Sequence, residues 1–493
     1  MRASDDFVLP TRDDPMVAGA STVIGGPIGR RAIATRSWWT PLRIVLLLAI
    51  LASALGAAID SPCSTKAWGN GHETFSRGCY SDIVHLYWGR GIDEGVLPYV
   101  EDPATTGDSE IEYPVLTGAV MYALGVPISD SWEPDTRARA YYTINAIVIA
   151  LLLAVTVWAT ALTVRRRPWD AAMVAVAPGM ILASTINWDL WAVAVTALAL
   201  LAWARRYPVL AGLLLGLGGS FKLYPLLLLG PLLFLCIRAG RLRYWFLALG
   251  SAALMWLAAN LPIMISRFDG WAHFYRFSTE RGADFGSPWL VLRDAFDINP
   301  PIEQLNLWAA GVLVALCAGI GLLILAAPRR PRFHQVAFLT VAAFVLSNKV
   351  YSPQFIVWLI PLAVLARPRW RDFLWWQAAE VVYFFAVWWY IIWQVSPERG
   401  LPETYYWAAI AVHIAATLAF AGLVVRDILR PDHDPVRSSL GEDDPGGGVL
   451  DGAPDRFALR RESVTSPKGT SDRVLSDEGS SEDVVVVDGL HSH

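Results

Sequence analysis

The sequence predicts an all-α polytopic membrane protein, a bundle of about 12–13 transmembrane helices with a large first outer loop. Three observations carry this reading. Of 493 residues, 55% are hydrophobic and only 17% are charged, against about 25% charged in ordinary soluble proteins. Apolar runs of the length needed for a roughly 30 Å hydrocarbon core recur from residue 44 to residue 425. The 23 tryptophans favour the ends of those runs, as Trp38, Trp39, Trp188, Trp191, Trp271, Trp358, Trp370 and Trp407 do. Aromatic belts form at that depth.

In chain order, residues 1–40 read as a flexible cytoplasmic tail. The forty mostly polar residues before the first apolar run make that run, 44–59, a signal anchor and not a cleaved signal peptide. Further spans are expected near 113–128, 141–164, 171–186, 188–204, 208–219, 223–237, 244–265, 305–327, 335–347, 354–366, 373–394 and 405–425. Two loops are long and polar, 60–112 and 266–304. Residues 427–493 hold seven basic and fifteen acidic residues, the Gly446–Gly448 run and few aromatics. They read as a disordered acidic cytoplasmic tail, dispensable for chemistry. The remainder is mildly basic, which suits loops facing anionic lipid. A basic, aromatic-interleaved soluble domain is absent, so nucleic acid is not an expected partner.

Orientation follows from arginine in short loops. Arg165–Arg167, Arg205–Arg206, Arg238–Arg243, Arg329–Arg332, Arg367–Arg371 and Arg426–Arg430 are each separated by two spans, so all six fit on the inner face. Arg30, Arg31, Arg36 and Arg43 put the N-terminus on the same side. Three spans before Arg165 break the parity, and 113–128 is the suspect for an incomplete crossing. The resulting topology places both termini on the cytoplasmic side of the membrane.

The opposite face collects the polar motifs. Asp82 sits in Tyr80-Ser81-Asp82-Ile83-Val84-His85-Leu86-Tyr87-Trp88, where helical spacing puts Asp82 and His85 on one face and Ile83, Leu86 and Tyr87 on another. This fits an interfacial helix turning a carboxylate to a cavity, or equally a helix capped by Ser81 or Asp82. Glu110 and Glu112 precede Tyr113-Pro114, and Asp189 opens its own span; acids at helix starts also serve the dipole. Lys222 and Lys349 lie on the outer face against the positive-inside bias. Lys222 reads as a cation at a helix start, which calls for an anion such as a lipid phosphate; snorkelling is the other reading of both lysines. In 266–304, Arg276, Glu280, Arg281 and Asp284 beside Tyr275 and Trp289 fit sugar binding or a solvated loop. Cys63 and Cys79 share the first outer loop, where oxidation is permitted, and are expected to form a disulfide; Cys236 and Cys317 read as packing thiols. Nucleotide-binding, serine-hydrolase and zinc signatures are absent, and His273 alone says nothing of a metal.

Ser81-Asp82-Ile83, Glu112-Tyr113-Pro114, Asn187-Trp188-Asp189, Phe221-Lys222-Leu223-Tyr224-Pro225 and Asn348-Lys349-Val350-Tyr351-Ser352-Pro353-Gln354, in this order over residues 41–426, resemble the polyprenyl-phosphate-sugar-dependent glycosyltransferases of the GT-C superfamily. The similarity is closest to glycosyltransferase family 87, the actinobacterial mannosyltransferase-like group. The resemblance implies a GT-C-like bundle and an exoplasmic active site. It implies inversion at the anomeric carbon, a polyprenyl-phosphate-sugar donor, and an envelope glycolipid or glycan acceptor, with mannose the first sugar by analogy and arabinose the second. It makes Asp82 the catalytic base and gives the donor phosphate to Lys222 and Lys349. His85, Glu112, Tyr113, Asp189, Tyr224, Arg276, Arg281, Tyr351 and Gln354 are the expected substrate-binding residues. No cofactor is required by these motifs, and a divalent metal is left open. A lipid or sugar transporter, or a non-catalytic assembly scaffold, would share the spans and membrane lipid partners but has no need of the large outer loop.

Overall fold

The structure is a computed structural model and describes residues 14–20, 23, 38–69, 71–101, 110–440 and 443–459. The acidic tail from residue 460 onward, with Val484–Val487, lies outside the described residues, as do much of the N-terminal tail and residues 102–109 of the first loop. The described residues are helical throughout, without strands. Six helices are long and apolar enough to cross a membrane: α1 (Pro41–Thr65), α4 (Pro134–Thr163), α8 (Leu242–Ser266), α11 (Ile302–Ala326), α14 (Trp370–Val395) and α15 (Glu403–Leu429). Shorter helices complete the bundle: α2 (Asp82–Gly89), α3 (Val115–Gly125), α5 (Asp189–Ala204), α6 (Pro208–Phe221), α7 (Leu229–Arg238), α9 (Phe268–Glu280), α10 (Pro288–Phe296), α12 (Phe333–Ser347) and α13 (Ile356–Ala366).

Length sorts these helices into two kinds. Long α8 and α11 are mostly open to lipid, with 17% and 11% of their apolar windows buried. By contrast nearly every residue of α5, α12 and α13 is buried. A helix facing lipid must carry its backbone hydrogen bonds across the whole core. A helix surrounded by protein can stop short, because its ends meet polar protein groups. The short central helices therefore leave a recess at one end of the bundle, and the candidate site lies there.

Several expected spans are corrected in detail. The run 171–186 is two short helices, Ala171–Ala175 and Pro178–Ala183, because Ala177 is extended before Pro178, which starts the second piece. The run 223–237 begins with the single turn Tyr224–Leu227 before α7. The suspect 113–128 holds only α3, whose 11 residues rise about 16 Å, half the hydrocarbon thickness. With α3 not crossing, the arginine loops described fall at one end of the bundle, and the parity conflict disappears. Close packing relies on small residues. A Cβ on Gly212 or Gly216 of α6 would lie 2.1 or 2.2 Å from the carbonyl oxygens of Ala248 and Ala252 on α8. This is the glycine-every-fourth contact of membrane helix pairs. Two tryptophans expected in a belt are core residues instead: the Trp188 indole donates to Asn145 (2.7 Å), and that of Trp358 to Asp189 (2.9 Å).

The tails are also corrected where they are described. Residues 14–20, placed in the flexible N-terminal tail, form a short helix whose buried Asp14 accepts the Trp370 N–H at 2.9 Å, at the start of α14. At the other terminus, α15 runs to Leu429, and residues 431–440 and 443–459 fold over the arginine end. Asp434 accepts from Arg332 Nε (2.7 Å) and Nη2 (3.0 Å). Asp455 bridges Arg238 (2.6 Å) and Arg330 (2.8 Å). Acidity that reads as solvation in the sequence is here the counter-charge of buried arginines. Removing one member of a buried pair costs roughly 3–5 kcal/mol. The expectation that the segment is dispensable concerns chemistry; for stability, a chain ending at Arg430 should melt well below the full chain in detergent. An unchanged melting temperature would restore the tail to a passenger.

Candidate active site

The first loop is tied to the bundle before any chemistry is placed on it. Cys63 and Cys79 are disulfide-bonded, with Cα atoms 6.1 Å apart. Ser81 is the cap of α2: its Oγ accepts the Ile83 N–H (3.3 Å) and donates to the Thr185 carbonyl (2.7 Å). The Asp82 N–H donates to the Ile186 carbonyl at 2.7 Å. Thr185 is itself held by its hydroxyl, which donates to the buried Asp60 of α1 at 2.8 Å; Tyr142 of α4 donates to the same carboxylate. With Ser81 capping the helix, the Asp82 carboxylate is turned to the cavity rather than to its own backbone.

That cavity measures about 610 Å³. It brings together Asp82, His85, Arg90, Glu112, Tyr113, Lys222, Tyr224, Arg281, Asn348, Lys349 and Gln354 from five separate stretches of chain. Two carboxylates line it. Glu112 is held in a fork by Arg90, at 2.7 and 2.8 Å. Asp82 is held by hydroxyls: Tyr80 donates to Oδ1 (2.8 Å) and Tyr113 to Oδ2 (3.3 Å). Loss of water raises the Asp82 pKa above its ordinary value. The Tyr80 hydrogen bond, nearby Lys222 and the Tyr113 hydrogen bond oppose the rise, and Glu112 adds to it. Glu110 lies outside this cavity, paired with Arg267 (2.6 Å) and His273 (3.0 Å).

Both lysines take placements the sequence reading did not foresee. Lys222 follows the last residue of α6, so it stands at a helix C-terminus, where a cation is favoured, and not at a helix start. Its nearby anion is Asp189, 2.9 Å away at the start of α5. Its ammonium also lies 4.3 Å over the Tyr113 ring. Three N–H donors leave Lys222 capacity for a further acceptor. Lys349 instead donates to the carbonyls of Ser278 (3.0 Å), Thr279 (3.2 Å) and Arg281 (2.5 Å). It caps the end of α9, and desolvation first, then nearby Arg281, lowers its pKa. All three of its donors are engaged, which speaks against Lys349 as a phosphate ligand.

The remaining expected residues divide. His85 is exposed at the cavity wall, and Tyr224 stacks on Trp358 with centroids 4.9 Å apart. Arg281 lines the cavity while paired with Asp284 at 2.5 Å. Arg276 is not brought in: it is exposed on α9 and pairs with Asp269. Tyr351 is also excluded: its ring is buried against His413, with centroids 4.5 Å apart. Sequence reasoning missed Arg90 and the aromatic wall. Tyr80 and Trp388 face one another at 4.9 Å, with Phe75 at 5.9 Å from Trp388. Among the described residues no three His, Cys, Asp or Glu side chains converge as a metal set.

Comparison with known proteins agrees with this architecture. Residues 113–348 match glycosyltransferase family 87. That stretch of the chain is similar to the glycosyltransferases of that family. The matched span contains Tyr113, Asp189 and Lys222 and ends just before Lys349; Asp82 and α2 precede it. A second similarity runs to GPI mannosyltransferase 1 of Eremothecium gossypii, 28% identical over 166 residues, which is 32% of this chain and 41% of that protein. The chain thus matches about two-fifths of that relative's length. A multi-pass membrane glycosyltransferase handles a sugar donor and an acceptor, and the cavity joins polar groups at Asp82 and Lys222 to walls of Phe277, Phe344, Phe355 and Ile391.

The Lys349 cap gives a direct test. Charge-assisted hydrogen bonds contribute about 1.5–3 kcal/mol each at most, so Lys349→Met in the glycosyltransferase should lower thermal stability by an amount in that range and loosen α9. A variant with native stability and a raised donor KM would return Lys349 to phosphate binding.

Proposed function

We propose that this glycosyltransferase moves a sugar from a polyprenyl-phosphate donor to an envelope glycolipid or glycan, with inversion, on the membrane face opposite the arginine loops. The observation that carries the reading is a desolvated carboxylate, Asp82, in a cavity that is polar at one side and apolar at the other. An amphiphilic donor suits such a cavity. Its phosphate would lie toward Lys222 and its isoprenoid along the aromatic and aliphatic wall. Mannose is the first candidate sugar, supported by the name of the yeast relative, and arabinose the second.

Transfer requires the acceptor hydroxyl to attack the anomeric carbon. The new C–O bond forms as the bond from that carbon to the phosphate oxygen breaks, and the electron pair leaves with the phosphate. The hydroxyl proton passes to Asp82, whose raised proton affinity matches this task. Tyr80 and Tyr113 aim the carboxylate, and the Arg90–Glu112 fork stiffens the adjacent wall. Lys222 meets the charge that grows on the departing phosphate.

Asp82→Asn keeps the shape and an acceptor for the tyrosines. A positioned base contributes about 10²–10⁴-fold, so the folded variant should lose that factor in kcat with polyprenyl-phosphate-mannose as donor. Turnover at the native rate would remove Asp82 from the chemistry. The base acts unprotonated, so activity should fall as pH drops through its raised pKa. The acid limb of kcat/KM should therefore centre above the usual aspartate value of about 3.9, and a limb at or below that value contradicts the desolvated base.

Lys222 needs a variant that leaves no orphaned charge. Lys222→Met combined with Asp189→Asn removes both members of the pair. The donor KM should rise while the fold and acceptor KM hold. Unchanged donor kinetics would leave Lys222 as the partner of Asp189 only.

A further inference from the structure

Within the paired spans α14 and α15 lies a charged cluster that the reaction above does not use. Glu380 of α14 and His413 of α15 are each at least ten residues, about 15 Å, from either end of their helices. Both are buried. His413 Nδ1 lies 3.5 Å from Glu380 Oε2. The other carboxylate oxygen accepts the Thr417 hydroxyl at 3.1 Å, and Thr417 in turn accepts the Trp376 indole N–H at 3.1 Å. Ionisable side chains are costly inside a membrane span, and a well-packed apolar pair would join two helices at least as well. Packing alone therefore does not account for this pair.

The pair reaches a backbone carbonyl of the cavity wall. His413 Nε2 lies 3.2 Å from the Gly286 oxygen. A carbonyl only accepts, so Nε2 carries the hydrogen and Nδ1 is left facing Glu380. The Gly286 N–H is held as well, donating to the Tyr406 hydroxyl of α15 at 3.0 Å. Gly286 has φ +72°, and a Cβ there would lie 2.2 Å from the Tyr351 carbonyl oxygen, so the contact needs glycine. Its neighbour Phe285 lines the Asp82 cavity, and the Phe285 carbonyl accepts the Tyr351 N–H at 2.9 Å. The Asp284 N–H donates to the Lys349 carbonyl at 2.9 Å, and Tyr383 of α14 donates to the Tyr351 carbonyl at 2.9 Å. Two cavity-lining stretches that are not helical, 281–286 and 348–352, are thus tied to each other and then to α14 and α15.

We propose that His413 is a positioning residue for the sugar donor: kept in this tautomer by Glu380, it fixes the Gly286 carbonyl and with it the cavity wall that carries Arg281, Phe285 and Asn348. A wall ordered in advance raises affinity, because binding need not order it. This role presupposes the polyprenyl-phosphate donor assigned above.

The test uses the full chain in a Glu380→Gln background, so that no variant leaves a buried carboxylate without a partner. There His413→Phe keeps a ring stacked on Tyr383, where the centroids lie 4.0 Å apart, but donates nothing to Gly286. His413→Gln places an amide N–H near the Nε2 position. Relative to Glu380→Gln alone, the Phe variant should raise the KM for polyprenyl-phosphate-mannose about tenfold, the size of one lost hydrogen bond, with kcat held. The Gln variant should restore that KM. Hydrogen–deuterium exchange across residues 284–287, read without substrate, should quicken in the Phe variant and slow again in the Gln variant. His413→Asn, too short to reach Gly286, replaces the Phe variant if that one does not fold. Equal donor KM in the Phe variant and its parent, a loss confined to kcat, or no rescue by Gln overturns the positioning role. Unchanged exchange overturns the link to the wall. A native chain that turns over no polyprenyl-phosphate-mannose overturns the donor assignment instead, and exchange then decides whether His413 sets the wall.

Discussion

The structure depends on one constraint: a charge taken out of water inside this bundle must be met by an opposite charge or by hydrogen bonds. Both ends are built by that rule. At the arginine end the acids of residues 434–455 close over Arg238, Arg330 and Arg332. At the other end Asp189 and Lys222 meet where α5 begins and α6 ends, so each charge also opposes the helix terminus it occupies. The pair joins two central helices at the floor of the cavity, and the cation is left with donors to spare. Lys349 obeys the same rule by another route, with backbone carbonyls in place of a carboxylate.

Helix length then decides where chemistry can occur. The peripheral helices span the apolar core because lipid offers their backbones nothing. The central ones stop early, and the chain between them is irregular only where it lines a cavity. Into that recess the first loop lowers a single short helix, held by the disulfide and by Ser81 and Asp82 on the carbonyls of Thr185 and Ile186. The anchorage continues down through Thr185 to Asp60 and Tyr142 in the long helices. A carboxylate on a surface loop is thereby given the fixed position of a core residue, which general-base chemistry requires.

The two carboxylates in the cavity illustrate how environment separates roles. Glu112 is bound by a guanidinium fork, which uses its lone pairs. Asp82 has little water, which favours the proton and outweighs the two tyrosine hydroxyls that favour its charged form. The same side-chain chemistry therefore serves as a brace in one case and fits a proton acceptor in the other.

Much of this was legible in the linear chain. Hydropathy, the spacing of arginine loops and the order of the short motifs were enough for a polytopic helical glycosyltransferase, because membrane insertion depends on properties summed along a segment. The same evidence singled out Asp82, Lys222 and the Cys63–Cys79 pair. Partnership was not legible. Whether Lys222 meets Asp189, whether Lys349 caps a helix, and whether the acids after Arg430 are solvated or buried against arginine are decided between residues tens to hundreds of positions apart. Arg276 and Tyr351 carry the right chemistry in the right segments but face away, one toward solvent and one into the core. Hydropathy determined that this chain enters a membrane; only the tertiary structure decided which charges are spent on holding the bundle together, because charge pairing depends on distance in space and not along the chain.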